Sequence, residues 1–539
     1  MGNRKTIFNK IPNRFLNVPD QYNPYNRAHE NRVGIRHPSV RKIRNKFFKA
    51  VWLNFIVLQV LFLGLFSYLF GSLFQQNSHA HNIKILYVDY DGGVIGDSIR
   101  TAYQNLKSNE FPSLIEQPPN GRQIPGDLRE EVCQTHFWAV LWTSPGASER
   151  LAAAIAGGSA ATSYDRTDVL TYAWDEARYS TAADSFVMAD LTALASAARV
   201  AYSTRNGSAA LQTIPTNDQA AMEAFTNPWQ LSQINIQPTT QGSRAIYNTL
   251  VFILILIQEF FYLGTMNALY TAFKIYERLY PHRIITFRIG ISCAYCFIGG
   301  LCTTGAIWAF RAGWHVNGAQ FVLTWMVLWL FAHLNFLALD AFTVWLPVQF
   351  VPMALITWIV FNVTSILLPF ELSPGFYHWA YAMPAHEAYL ALMDIWSGGC
   401  NPQLHIALPI LFSWEVVGLI LCGFGVHRRC HYAVVGQEEA EAQFQERLAA
   451  AMEFERKRDK DRKEGRDRRA SVEHAQALEE AEAVEEAEED VEEARDKVAM
   501  SEELRRQDSR LRREDTQGRS VHFGPSFACP FGATGDDDD

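Results

Sequence analysis

Six stretches of about twenty residues, nearly free of Lys, Arg, Asp and Glu, constrain this chain more than any other feature, because each matches the hydrocarbon thickness of a bilayer. They fall at roughly residues 50–73, 245–270, 286–310, 320–340, 346–368 and 404–426. In lipid a spanning segment must satisfy its own backbone hydrogen bonds, which for apolar runs of this length means the α-helix. The expected fold class is therefore a polytopic α-helical membrane protein with about six transmembrane helices. The averages, 48% hydrophobic and 19% charged residues, hide this because the charge is gathered at the two ends of the chain.

Residues 1–49 are basic and have no early apolar core, so the first span is expected to act as a signal anchor. Arg41, Lys42, Arg44, Lys46 and Lys49 precede it directly, which by the positive-inside rule keeps the N-terminus cytosolic. Lys274, Arg278, Arg283 and Arg288, in or beside the loop after the second span, and Arg428 and Arg429 after the sixth, are expected on the same side. The connection 369–404 has no Lys or Arg and is expected outside. It is rich in Trp and Tyr and reads as an interfacial or partly re-entrant segment. Both termini are then cytosolic, in a plasma-membrane or endomembrane setting.

The long insert, residues 74–244, reads as an extracytosolic mixed α/β domain. A strand at 83–88 ends in Asp89-Tyr90-Asp91-Gly92-Gly93, a helix follows over 95–106, a second strand covers 137–142, and Ala-rich helical stretches run over 148–203. Asp89 and Asp91 share one face of an extended strand, yet they read as turn residues capping the local backbone, since no calcium-loop pattern surrounds them. Asn206-Gly207-Ser208 is an N-glycosylation acceptor sequence. Of the eight cysteines only Cys133 lies in the insert, with Cys400 and Cys302 as its open pairing choices.

Residues 427–539 form a charged cytosolic tail. From about residue 437 to 518 it has strong helix propensity but lacks the apolar heptad of a coiled coil, so it reads as a solvated helix or disorder with a cytosolic partner as one option. Ser471, after Arg468-Arg469-Ala470, is a candidate phosphorylation site. The net charge of −9 comes mainly from this tail, and no nucleic-acid footprint follows.

Polar groups at membrane depth are the candidate functional residues: Gln258 and Glu259 in the second span, His333 and Asn335 in the fourth, and Glu415 in the sixth. Charge in hydrocarbon is costly, so such groups face a bundle interior or a wet cavity. Two readings stay open, a polar pathway for a cationic or amphipathic substrate or for protons, and structural hydrogen bonding between helices. Ser292, Cys296, Gly300 and Thr304, with Gly299 and Gly305 alongside, make a small-residue stripe that reads as a helix-packing face. Cys293 and Cys296 have no second ligand pair, so no metal is expected. Nucleotide-binding, zinc-protease and nucleophile-elbow motifs are missing, so no enzyme activity or cofactor is expected and any driving ATPase is another chain.

Three runs carry a family resemblance: Val88-Asp89-Tyr90-Asp91-Gly92-Gly93-Val94-Ile95-Gly96, Leu372-Ser373-Pro374-Gly375-Phe376-Tyr377-His378-Trp379-Ala380-Tyr381-Ala382-Met383-Pro384-Ala385-His386-Glu387, and Trp396-Ser397-Gly398-Gly399-Cys400. They resemble the fungal nitrosoguanidine-resistance proteins, whose membrane domain is similar to that of ABC-2 type permeases and bacterial phage-infection proteins. The resemblance covers roughly residues 40–430 and leaves the tail aside. It implies a protein associated with tolerance to toxic compounds, with a homodimer by analogy to the permeases, and assigns no residue a role. The expectation is a permease-like protein of the lipid bilayer that moves or helps to export amphipathic or lipid-like compounds. The alternative is a non-transporting regulator or scaffold that binds through its external domain and recruits partners through its tail. A membrane-bound hydrolase is a third, weaker reading.

Overall fold

Residues 35, 37–215, 217–239, 249–311 and 313–470 are described in a computed structural model. The chain divides after Ser67 into two units. The first holds most of α1 (Arg41–Ser72), a helix long and apolar enough to cross a membrane.

The second unit opens with a mixed α/β domain. Its elements are β1 (Lys84–Asp89), α2 (Val94–Leu106), β2 (Ser113–Glu116), α3 (Gly126–Cys133), β3 (Ala139–Thr143), α4 (Ala147–Ile155), α5 (Ser159–Thr162), β4 (Leu170–Trp174), α6 (Ser180–Ala183), α7 (Ala189–Thr213), α8 (Gln219–Thr226) and β5 (Leu231–Asn235). The strands form one sheet in the order β2-β1-β3-β4-β5, parallel throughout except for the antiparallel β3–β4 pair. Period-two alternation sorts their side chains. Ile85, Tyr87, Leu141, Tyr172 and Trp174 join the core containing Ile95 and Ile99 of α2, Leu151 of α4 and Leu191 of α7, whereas Leu86, Val88, Val140 and Ala173 pack with Leu128 and Val132 of α3.

The two expected strands and the helix after the first are present within about two residues of their expected bounds. The stretch expected to be Ala-rich and helical differs, because β4 interrupts it. Leu-Thr-Tyr-Ala-Trp is a good strand sequence whose signal is masked by alanines on both sides. The β1–α2 loop explains its own sequence: Asp89 Oδ1 accepts from the backbone N–H groups of Asp91 and Gly92 (3.1 and 3.0 Å), and Gly96 leaves room for that carboxylate. Asp91 accepts from the backbone N–H (2.8 Å) and the hydroxyl of Ser148.

The membrane part comprises α9 (Thr249–Ala272), α10 (Ile275–Arg278), α11 (Pro281–Ala309), α12 (Gly318–Trp345), α13 (Val351–Leu367), α14 (Pro384–Trp396) and α15 (Leu404–Ala470). Among the described residues five helices, α1, α9, α11, α12 and α15, are long and apolar enough to cross a membrane. The stretch expected as a further span forms α13, whose 17 residues reach about 25 Å, short of a full hydrocarbon core. A 3₁₀ turn (Val348–Phe350) and Pro352 delay its start.

The segment after α13 turns through a 3₁₀ stretch (Gly375–Ala382) into α14, which is buried along its whole length except at Leu390. Gly398 and Gly399 then take positive φ (69° and 96°), reversing the chain so that Cys400 meets Cys133 at the end of α3 in a disulfide. Asn401 N–H donates to the Cys133 carbonyl (2.8 Å) and Gln403 Nε2 to Thr135 Oγ1 (3.1 Å), so the α/β domain is fastened to the start of α15 both covalently and by hydrogen bonds. Cys302, the other pairing choice, is a free, exposed thiol.

Candidate functional site

Apolar helices give a bundle little specificity by themselves, so the polar side chains inside it decide how its helices register. Two polar clusters lie there. The first crosses the middle of the bundle. His333 of α12 is bonded through Nδ1 to Glu415 Oε1 of α15 at 2.6 Å and through Nε2 to Ser292 Oγ of α11 at 3.2 Å. One helical turn along α11, Cys296 Sγ donates to Glu259 Oε2 of α9 at 3.3 Å. Four helices thus meet in a chain of polar groups running Glu415, His333, Ser292, then Cys296 and Glu259. Both carboxylates keep one buried oxygen without a partner, Oε2 of Glu415 and Oε1 of Glu259. Most buried polar atoms find a partner, so such exceptions call for a functional account.

Ser292 Oγ also donates to the Ile289 carbonyl (3.0 Å), so its own hydrogen is committed and His333 Nε2 must donate to it. The contact between His333 Nδ1 and Glu415 Oε1 then holds one proton, resting on imidazole or carboxylate. The spacing is that of a serine, histidine and acid triad. Ser292, however, is wholly buried and its hydrogen points away from the histidine, which suits holding or moving a proton rather than attacking a substrate.

The remaining sequence candidates lie beside this chain. Gln258 is half-buried against Gly299. Asn335 is satisfied elsewhere: its Nδ2 donates to the Phe331 carbonyl (2.6 Å) and its Oδ1 accepts from Trp358 Nε1 of α13 (2.9 Å). Ser292, Cys296, Gly300 and Thr304 are all buried along one face of α11, and a Cβ on Gly300 would come within 3.1 Å of the Trp329 backbone nitrogen of α12. Two members of this small-residue face also supply the hydroxyl and thiol of the polar chain. Asn206 sits half-buried within α7, and Ser471 lies outside the described residues.

The second cluster lies about 40 Å along α15 from the end of that helix next to the disulfide. Arg288 of α11 grips Asp340 of α12 with two bonds (3.2 and 2.7 Å), and Arg429 of α15 shares the same carboxylate at 2.7 Å. Asn267 Oδ1 accepts from Arg288 at 2.7 Å, and Thr343 Oγ1 from Arg429 at 2.6 Å. Arg288 is 1% exposed and Asp340 is not exposed at all. The sequence reading grouped Arg288 and Arg429 with the loop charges and passed over Asp340. A signal was available: Arg288 opens one span and Asp340 closes the next, so an antiparallel hairpin sets opposite charges at equal depth.

Outside the bundle, burial pushes the Asp175 carboxyl of the α/β domain up to about 7, against the opposing pull of the Ala177 N–H and of Arg178. Arg178 itself lies 4.1 Å over the Trp138 ring and 3.7 Å from Glu371.

A single stretch from within α1, through the external domain, to α15 just past Glu415 matches one family model. The chain belongs to the DUF3533 family. That family is described as a protein of unknown function, and the match covers residues 54–420. The DUF3533 match takes in the central polar chain, Asp340, Arg288 and both disulfide cysteines; Arg429 and the rest of α15 lie beyond it. No solved structure matches the chain.

Proposed function

We propose that this DUF3533 protein is permease-like and moves, or helps to export, amphipathic or lipid-like compounds, in keeping with its resemblance to the nitrosoguanidine-resistance proteins. The observation that carries this reading is the polar chain of Glu415, His333, Ser292, Cys296 and Glu259 inside a bundle of apolar helices. Ionisable groups at membrane depth are expensive, and two of these carboxylates have an oxygen left without a partner. A proton shared between His333 and Glu415 gives the pair two arrangements, an ion pair or a neutral pair, which suits a protein that must alternate between conformations. The Cys133–Cys400 bridge supports placing the external domain and the α14–α15 turn on the oxidising, extracytosolic face. Both termini are then cytosolic, with α13 and its preceding turn as the sixth crossing.

The test uses purified protein in liposomes, following a fluorescent phospholipid and a cationic dye with and without a proton gradient. Movement is expected in the wild type and lost in the Glu259→Gln/Glu415→Gln double variant. A double variant as active as wild type removes the polar chain from the mechanism.

A second reading, a non-transporting regulator, is favoured by one feature: α15 continues unbroken from the bundle through Ala470. Deleting the chain from Gln437 onward separates the two, since a regulator should fail and a self-contained permease should keep its activity.

A further inference from the structure

A groove of about 400 Å³ opens between α10 and the stretch of α15 around His427 and His431. These residues follow Leu404 by some 25 residues of continuous helix, about 40 Å, so the groove lies at the opposite end of the bundle from the disulfide. Its polar lining comes from Arg278, His427, His431, Tyr276 and Tyr280, with Glu277 as the one acidic residue among the lining side chains. Arg278 forms no ion pair among the described residues, whereas Glu277 is matched by Lys274 at 3.8 Å. Behind the Tyr276 wall stands the second cluster: Arg288 donates to the Tyr276 hydroxyl (3.3 Å), and the Arg429 guanidinium lies 5.8 Å from the ring centre. Two guanidiniums there share the single carboxylate of Asp340, and one nitrogen of Arg429 is buried without a partner. Lys274, Arg278, Arg288 and Arg429 therefore stand against Glu277 and Asp340, a local surplus of positive charge. Around the mouth Leu279, Tyr280 and Val434 are exposed apolar surface.

We infer that this groove binds a phosphomonoester-bearing anion of the kind presented by a phosphorylated phospholipid headgroup. The surplus charge attracts the phosphate, Arg278 offers it a planar fork of donors, the histidines and tyrosines can bond a hydroxylated ring, and the apolar rim suits acyl chains. Nothing in the polar chain at the centre of the bundle requires this site, so either can stand without the other.

The experiment uses the full chain in phosphatidylcholine nanodiscs and measures binding of short-chain phosphatidylinositol 4-phosphate, free inositol phosphate and short-chain phosphatidylcholine. Saturable binding of the phosphorylated lipid, with none for phosphatidylcholine, supports the site. Equally tight binding of free inositol phosphate supports the anion site and assigns it to a soluble ligand, whereas preference for the lipid assigns it to the membrane. Arg278→Gln/His431→Gln should weaken binding about tenfold, and Arg278→Lys should retain most of it. Glu277→Gln removes the lining acid and should tighten binding, a gain that partial unfolding does not imitate. No binding of either phosphorylated compound to folded wild-type protein, or unchanged binding by a folded double variant, overturns the proposal.

Discussion

The two polar clusters of the bundle have similar ingredients and different states of satisfaction. In the Arg288–Asp340–Arg429 cluster both carboxylate oxygens are held by guanidiniums, Asn267, Tyr276 and Thr343 take up further donors, and one Arg429 nitrogen is left over. In the central chain each carboxylate has one hydrogen-bonded oxygen and one bare oxygen. A carboxylate engaged at both oxygens fixes helices against each other, whereas carboxylates left half-satisfied in a low-dielectric interior can change state when a proton or ligand arrives. The first cluster accordingly reads as a lock and the second as a working site.

Breaking the lock should have the largest effect. Asp340→Asn leaves the buried Arg288 and the partly buried Arg429 without their counter-ion, and loss of one partner of a buried ion pair costs about 3–5 kcal/mol. The expected result is a large fall in thermal stability of the detergent-solubilised protein, followed by size-exclusion fluorescence. A wild-type melting curve would mean that this cluster is not a lock.

The α/β domain offers an intermediate case, because Asp175 is buried with a single backbone donor on its carboxylate. With its pKa raised to about 7 by burial, its contribution to stability is full below the ordinary carboxyl range and is lost as pH rises through 7. Between slightly acidic and slightly alkaline buffer the domain should lose about 1 kcal/mol from this group. Asp175→Asn should flatten that slope in thermal unfolding, and an unchanged slope would assign the pH dependence to other groups.

The smallest effect on stability is expected at the central chain. Glu259→Gln and Glu415→Gln keep shape and an acceptor oxygen, so stability should change by no more than about 1 kcal/mol, while movement of lipid or dye is lost. Strong destabilisation by these two changes would erase the contrast and turn the central chain into a second lock.

The sequence revealed parts of this arrangement unevenly, for physical reasons. Apolar windows disclose membrane helices because the bilayer sets their length, and Glu259, His333 and Glu415 stood out as costly residues within them. What a linear reading could not supply was partnership. Ser292 and Cys296 looked like packing residues because their small size serves that purpose too, and only the placement of α9, α12 and α15 shows their hydroxyl and thiol meeting His333 and Glu259. Arg288 and Arg429 were grouped with loop charges because charges near span ends usually remain in water. In the α/β domain β1 and β3 were legible from their hydrophobic runs, whereas β5, Leu-Ser-Gln-Ile-Asn, has so polar a sequence that only its pairing with β4 makes it a strand.

The length of α15 gives the contrast between the clusters a mechanical meaning. Glu415 stands about 20 Å along this helix from Arg429, and Ala470 lies about 60 Å beyond Arg429 on the other side. With Arg429 pinned to Asp340, the helix is a lever whose fulcrum is the ion pair and whose short arm ends at the shared proton. A sideways shift of Glu415 when that proton changes hands would reappear at Ala470 in the opposite direction and about three times larger, from the ratio of the two arms.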